Sequence, residues 1–286
     1  MPASITQAFV QQWDNVIRMQ AQQKESRLEM CVTDRGSITG ESFTANRIAP
    51  VEDTPEQLVR HGDTIWSDAT HTTRVALMRP YYQAIPIDRL DEPRVLANPA
   101  PVYNESIAAA WARRKDRQIF AALLGSAANK DGSTSTLGGA QVIAAGGTGF
   151  TKAKIIQARK LFRKNEADAN NGEEVYCAYN SEMMEDIMSD TTLTSGDFLK
   201  LGMLQAGDVI GKWMGITWVP YEAITLSGGT YTTAMWTKTA LMKGASGQFG
   251  DASRRADKQS LLQLSMGANF GAVRLEEEKV VSVSFV

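Results

Sequence analysis

The segment 99–125, with the core sequence VYNESIAAAWARRKDRQIFAALLG, limits the possible folds more than any other part of the chain. Its apolar residues recur near the 3.6-residue period of a helix: Tyr103, Ile107, Ala110, Trp111, Ile119, Phe120, Leu123 and Leu124. Asn98 is a suitable cap, Pro99 fits a first turn, and Gly125 fits a helix end. Because each residue adds about 1.5 Å, the helix would be about 36 Å long, enough to form the spine of a domain.

The N-terminal segment 5–30 is predicted to form an amphipathic helix, because Phe9, Trp13, Val16 and Ile17 share one face. No second strongly apolar helix follows nearby in the sequence. The Phe9 and Trp13 face must therefore be covered by a distant part of the chain or by another molecule. This pattern is typical of a detached N-terminal arm.

Residues 36–80 are rich in Thr, Asp and Pro and contain two β-prone pieces, 37–49 and 72–79. Pro50 and Pro55 interrupt the stretch between them. The pattern predicts a long two-stranded excursion. Since an isolated hairpin is at best marginally stable in water, it either packs on a neighbouring subunit or is mobile.

The rest of the chain is predicted to contain both helices and strands, and the fold class of the whole chain is predicted to be α+β. Residues 127–150 are expected to be a weakly ordered connection or a hairpin. Helices capped by Thr151 and Ser181 and strands at 175–179 and 216–220 would form an α/β unit over 151–242. The tail alternates apolar and polar residues and should form strands that pack against the long helix.

Composition excludes several classes of protein. The 286 residues are 43% hydrophobic and 22% charged with a net charge of −2, which indicates a folded protein and not a strongly basic nucleic-acid binder. No apolar run is long enough for a membrane span or a signal segment, so a cytosol-like compartment is expected. The two cysteines, Cys31 and Cys177, have no metal or disulfide spacing and are expected to be free thiols.

Two motifs could carry chemistry. The only histidines, His61 and His71, lie near Asp63 and Asp68, but the spacing does not bring four ligands together without help, so a solvated loop is the simpler interpretation. The glycine-rich segment GGTGFTK at 146–152 lacks the phosphate-loop spacing, so a flexible connection between domains is the simpler interpretation. We therefore predict no catalytic residue, no cofactor and no metal.

Two helices carry basic runs, one at 113–117 and one at 152–164. A solvated helix face is the simplest interpretation of these runs. The functional alternative is a set of inter-subunit ion pairs with acidic segments. Phosphate contact ranks third, because the overall charge of the chain is balanced. The residues predicted to contact other subunits are Phe9, Trp13, Arg60, Trp66, Arg74, Arg113, Arg114, Glu276 and Glu277.

This order of elements resembles the major capsid proteins of tailed bacteriophages with the Hong Kong 97 fold. The resemblance extends over the whole chain, and its most specific segments are SITQAFVQQWDNVIRMQAQQKESRL, HTTRVALMRPYYQAIPIDRLDEPRVLANPAPVYNESIAAAWARRKDRQIFAALLG and GANFGAVRLEEEKVVSVSFV. It implies four parts: an N-terminal arm at 1–35, an extended β-hairpin E-loop at 36–80, a peripheral domain at 81–150 and 243–286 with a spine helix at 99–125, and an α/β axial domain at 151–242.

The resemblance also implies a structural function without enzymatic activity. The protein would self-assemble as hexamers and pentamers into the icosahedral head that encloses a double-stranded DNA genome. Assembly would take place in the bacterial host cytoplasm. The protein would lie close to the packaged DNA without specific contacts. Its partners would be a portal protein and a separate scaffolding or decoration protein, with no membrane. Some members cross-link subunits through an E-loop lysine, but residues 31–90 contain no lysine, so that bond is not expected here.

Two alternatives belong to different classes. An encapsulin-type shell of the same fold would enclose cargo enzymes in a cellular compartment instead of a genome. A soluble enzyme with a carboxylate-based site would rely on the segment from His61 to His71 alone.

Overall fold

The computed structural model describes residues 19–51, 66–88, 100–189 and 211–286, together with residues 53, 54, 56, 60 and 62–64. The described residues belong to two compact units. The first unit draws on 1–25, 81–113 and 248–268, and the second draws on 26–80, 114–247 and 269–286. Within the described ranges, none of the helices combines the length and the apolar character needed to cross a lipid bilayer.

The helix predicted over 5–30 is wrong for its described part. Residues 1–18, with Phe9 and Trp13, lie outside the described residues. From 19 to 30 the chain has no α-helix and forms only a 3-10 turn, Glu29–Cys31. The physical reason is that the amides of Arg27 and Leu28 donate to the side chain of Asp116 instead of to helical carbonyls.

The long helix lies where the sequence predicts it. Helix α1 spans Ala100–Leu124, and the amide of Gly125 donates to the Ala121 carbonyl at 2.8 Å. In the first unit, α1 packs Ile107 against Ile87 and Leu264 in a buried apolar cluster. The strands that supply these partners are β4 (Arg79–Ile87) and β14 (Leu261–Arg274).

The predicted two-stranded excursion is confirmed as an antiparallel hairpin. Strands β2 (Ser42–Ile48) and β3 (His71–Leu77) pair from Ser42 opposite Leu77 to Ile48 opposite His71. The sequence did not predict that β3 has a second partner, β5 (Ala127–Asn129), which turns into β6 (Thr134–Ser135). Residues 127–135 are therefore a hairpin, one of the two predicted possibilities, and the sheet order is β2-β3-β5-β6.

A seven-stranded mixed sheet forms the core of the second unit. Its order is β7-β15-β12-β8-β10-β9, and β11 pairs with β12. The strands are β7 (Val142–Ile143), β8 (Val175–Tyr179), β9 (Lys212–Trp213), β10 (Ile216–Pro220), β11 (Thr225–Ser227), β12 (Thr230–Thr237) and β15 (Val280–Phe285). All five residues of β8 are buried, as expected for a central strand.

Two helices accompany this sheet. Helix α2 (Lys152–Lys164) buries Ile155, Ala158 and Phe162, and helix α3 (Ser181–Ser189) follows β8. Thr151 occupies the cap position of α2, but its side chain makes no capping hydrogen bond. The predicted cap Ser181 is wrong: the cap of α3 is Asn180, whose Oδ1 accepts from the Met183 amide at 3.0 Å.

The C-terminal strands separate into two sheets. Strand β14 belongs to a sheet of order β1-β13-β14-β4, with β1 at Thr33–Ser37 and β13 at Leu241–Arg255, and it reaches α1 as predicted through Arg274. Strand β15 instead pairs with β12 and β7 and lies against α2. Because it is buried on both faces, the alternation in its sequence does not mark an exposed face.

Candidate functional site

One carboxylate organises the strands of the β2–β3 hairpin. Arg74 Nη2 donates to both oxygens of Glu277 at 2.7 Å, and Arg47 Nη1 and Arg274 Nη2 lie 3.5 and 3.6 Å from the same carboxylate. Only 2% of Arg74 and 13% of the Glu277 side chain are exposed. We call these four residues the Glu277 cluster.

The arginines of the Glu277 cluster also satisfy backbone and amide groups. Arg74 Nη1 donates to Asn129 Oδ1 at 2.6 Å, which connects β3 to β5. Arg274 Nη1 donates to the carbonyls of Leu123 and Gly125 at 2.7 and 2.5 Å, at the C-terminal end of α1. Burial lowers the pKa of Arg274 and the Glu277 charge opposes this, but a guanidinium remains charged in proteins. The cluster therefore joins the hairpin, α1 and the 274–277 turn.

A second buried carboxylate holds the chain that precedes β1. Asp116 on α1 is fully buried and accepts from Ser26 Oγ at 2.5 Å, from the Arg27 amide at 3.0 Å and from the Leu28 amide at 3.2 Å. This role was not predicted from the sequence, because Asp116 stands inside a basic run. The available signal is its position on the buried stripe of α1, four residues from both Ala112 and Phe120.

A small ion-pair network lies beside this contact. Glu29 accepts from Lys115 Nζ and, at 2.5 Å, from Lys243 Nζ, which also lies 2.9 Å from Asp34 Oδ2. Burial alone would raise the pKa of Glu29, but the hydrogen bonds and charges of the two lysines lower it below its ordinary value. Asp34 behaves likewise. Desolvation by burial would raise its pKa, but the hydrogen bond from the Gly36 amide and the charge of Lys243 lower it below its ordinary value.

The predicted contact residues fall into different environments. Trp66 is 88% exposed, and Arg60 and Arg114 are also exposed. Arg74 and Glu277, in contrast, are used by each other inside the chain. Their charges are therefore paired within the chain, and their contacts with other subunits stay a prediction.

Two further predicted residues, Arg113 and Glu276, have partners inside their own unit. Arg113 Nη1 donates to Gln22 Oε1 at 2.7 Å in the first unit. Glu276 lies 3.3 Å from Lys279 Nζ in the second. The basic run on α1 is thus partly an intrachain contact surface.

The glycine-rich segment 146–152 wraps around a buried lysine. Lys154 Nζ donates to the carbonyls of Ala145, Thr148 and Gly149 at 2.8–2.9 Å, and burial lowers its pKa while the Asp186 charge opposes this. A side chain at Gly149 would lie 2.6 Å from an Asp186 oxygen, which explains the glycine there. Because carbonyls and a carboxylate face the lysine, the loop is built to hold an internal cation.

The groups considered for chemistry are not brought together. His61 lies outside the described residues, Asp63, Asp68 and His71 are exposed, and no cluster of three metal-ligating side chains occurs in the described ranges. Cys31 and Cys177 are both buried. Burial raises the pKa of Cys31 to about 11 and raises that of Cys177 further, so both thiols are protonated and unreactive near neutral pH.

Comparison with known proteins gives a match along nearly the whole chain. The model of the family described as phage capsid protein matches residues 5–286. No curated protein matches the sequence significantly.

Solved structures agree in fold at low sequence identity. A chain of Mycobacterium phage Che8 has a TM-score of 0.72 at 14% identity, covering 96% of this chain and 97% of its own. The capsid of cyanophage P-SCSP1u gives 0.72 at 16%, covering 99% and 94%. The capsid of cyanophage Pam1 gives 0.71 at 12%, covering 98% and 97%. The shared fold is the one expected from the sequence.

Proposed function

Because the chain belongs to the phage capsid protein family, we propose that it is the major capsid protein of a tailed phage. In this role it assembles as hexamers and pentamers into the icosahedral head that encloses double-stranded DNA. Its role is structural and not enzymatic, and its place is the virion, after assembly in the bacterial host cytoplasm. The family match favours this function over the encapsulin alternative.

The observation that carries the proposal is the contrast within the β2–β3 hairpin. Its strands are bound to the rest of the second unit through the Glu277 cluster. Beyond the strands, all described residues from 50 to 70 are exposed, including the large side chain of Trp66. A folded monomer gains nothing from displaying such a segment, whereas a shell subunit buries it against a neighbour.

The parts of the chain follow from this proposal. Residues 1–35 act as the N-terminal arm and 36–80 as the E-loop. Residues 81–150 and 243–286 form the peripheral domain, with the spine helix at 99–125, and 151–242 form the axial domain. Trp66, Arg60 and Arg114 are exposed in the chain and suited to contacts between subunits. A portal protein and a separate scaffolding or decoration protein complete the assembly.

Electron microscopy of the purified full-length protein tests the proposal. We expect closed shells of uniform diameter, built from hexamers and pentamers. Particles that remain monomeric over a range of protein concentration and salt, and with a co-expressed scaffolding protein, would contradict it. DNA extracted from particles made during infection separates the phage head from a compartment that encloses enzymes.

A further inference from the structure

The exposed side of α2 is basic and carries no acidic residue. Its sequence, KAKIIQARKLFRK, contains six Lys or Arg and no Asp or Glu. The buried side consists of Lys154, Ile155, Ala158 and Phe162. The other cations therefore project from the opposite side of the helix or from its edges, where Ile156 is also half exposed.

The cations on the exposed side of α2 differ in their contacts within the described part of the chain. Arg159 Nη1 reaches the Gly215 carbonyl at 3.4 Å, and Arg163 Nη1 lies 3.5 Å from Asp168 Oδ2. Lys160 and Lys164 are exposed and form no ion pair with any residue that the structure describes. Their charges face solvent in the single chain.

Helix stability does not explain this arrangement. Lys160 and Lys164 are four residues apart, where like charges repel each other. Lys152 lies in the first turn, at the positive end of the helix dipole, where a cation is unfavourable, and the first turn contains no acidic residue. Only the cations of the last turn gain from the dipole. The face therefore carries charge at a small cost to the helix.

The basic run on α1 gives a contrast. There, Arg113 donates to Gln22 and Lys115 to Glu29, so these cations hold the chain that precedes β1. On α2, Arg159 and Arg163 have contacts within the chain, whereas Lys160 and Lys164 form no ion pair with a residue that the structure describes. The structure thus distinguishes two basic runs that look equivalent in the sequence. Of the two, the run on α2 is the one available to an external anion.

We infer that the exposed face of α2, centred on Lys160 and Lys164, contacts the phosphates of the packaged nucleic acid. The inference rests on the proposed function, which supplies a polyanion in contact with the shell. From Lys152 to Lys164 the helix rises about 18 Å, which matches the axial rise of about five base pairs. Lysines act here as flexible point charges that contact phosphates, so the contact does not depend on the base sequence of the nucleic acid. Glu166, just beyond the helix end, marks the limit of the basic face.

The test measures the salt dependence of DNA binding by unassembled full-length subunits. A short fluorescent duplex is titrated by anisotropy from about 50 to about 200 mM salt. The variant is Lys160→Gln with Lys164→Gln, since glutamine matches lysine in helix propensity. The matched control is Lys130→Gln with Lys258→Gln, two exposed lysines on other elements with the same change in charge.

In the α2 variant, we expect the slope of the logarithm of the DNA-binding constant against the logarithm of salt concentration to become shallower by about 2. The change should be the same for duplexes of different sequence. In the control variant, the slope should stay unchanged. Equal slopes in both variants would overturn the inference. Loss of binding to polyglutamate with unchanged binding to DNA would also overturn it, in favour of an acidic protein. Electron microscopy of the parent protein distinguishes failure of this inference from failure of the proposed function. Normal shells together with equal salt slopes in the two variants would refute only the α2 contact. Absence of shells would refute the capsid function.

Discussion

The strands and the loop of the β2–β3 hairpin differ in where their side chains find partners. The strands place Arg47 and Arg74 on Glu277, and Arg74 also binds Asn129, so their polar groups are satisfied within one chain. The loop between them exposes every described residue from 50 to 70, including the large side chain of Trp66. The difference indicates that contacts within the chain set the direction of the hairpin, and it supports our proposal that a neighbouring molecule covers the loop.

The largest effect on subunit stability is expected from Glu277→Ala. Removing this carboxylate leaves Arg74 and Arg274 buried without a counter-charge, and breaking such a pair costs about 3–5 kcal/mol. Urea unfolding of the unassembled subunit measures the loss. The matched control is Glu278→Ala, because Glu278 is largely exposed and lies 3.9 Å from Arg47. Equal midpoints for the two variants would show that the Glu277 cluster does not hold the hairpin.

Asp116→Asn should have the next largest effect. The substitution keeps the shape of the side chain but removes the charge that accepts hydrogen bonds from Ser26, Arg27 and Leu28. Hydrogen bonds to charged groups contribute about 1.5–3 kcal/mol, and we expect a loss in that range. The measurement is again urea unfolding, with Asp257→Asn as a control on an exposed surface pair. Faster proteolysis near residue 26 in the Asp116 variant would locate the effect.

Acid should weaken the region around Glu29 more modestly. Its pKa in the folded chain is lowered from an ordinary value of 4.5, so the folded state binds fewer protons than the unfolded state. The resulting stabilisation is present above the ordinary pKa and disappears as the pH falls through the lowered one. Unfolding midpoints of the parent should therefore drop more steeply below pH 4.5 than those of Glu29→Gln. Parallel pH profiles would contradict this explanation.

Trp66→Ala should have the smallest effect on the subunit and a large one on assembly. The side chain is 88% exposed in the single chain, so its removal leaves no cavity and should not change the melting temperature. If the loop is buried between subunits, the same variant should shift the protein from shells to free subunits in a sedimentation gradient. Normal shell yield would remove Trp66 from the contact surface.

Local patterns predicted the elements well. The period of apolar residues placed the long helix at 99–125, and α1 is found at Ala100–Leu124. The β-prone pieces at 37–49 and 72–79 predicted the pairing of β2 with β3. These features depend on neighbouring residues, and the physics that determines them can be read over a short window of sequence.

Long-range partners were harder to predict. Arg74 and Glu277 are 203 residues apart, and the sequence did not predict that they pair with each other within the chain. Lys154 was read as part of an exposed basic face, but it is buried within the 145–149 loop. A charged residue has the same identity whether it is exposed or paired inside, and only the three-dimensional contacts distinguish the two cases.

Hydrogen exchange in free subunits and in assembled shells tests the central claim most directly. The amides of 66–70 should exchange fast in the subunit and become protected in the shell, while those of β8, at Val175–Tyr179, should be protected in both. Equal protection of 66–70 in the two states would contradict the account, because the loop would then have no partner in the shell.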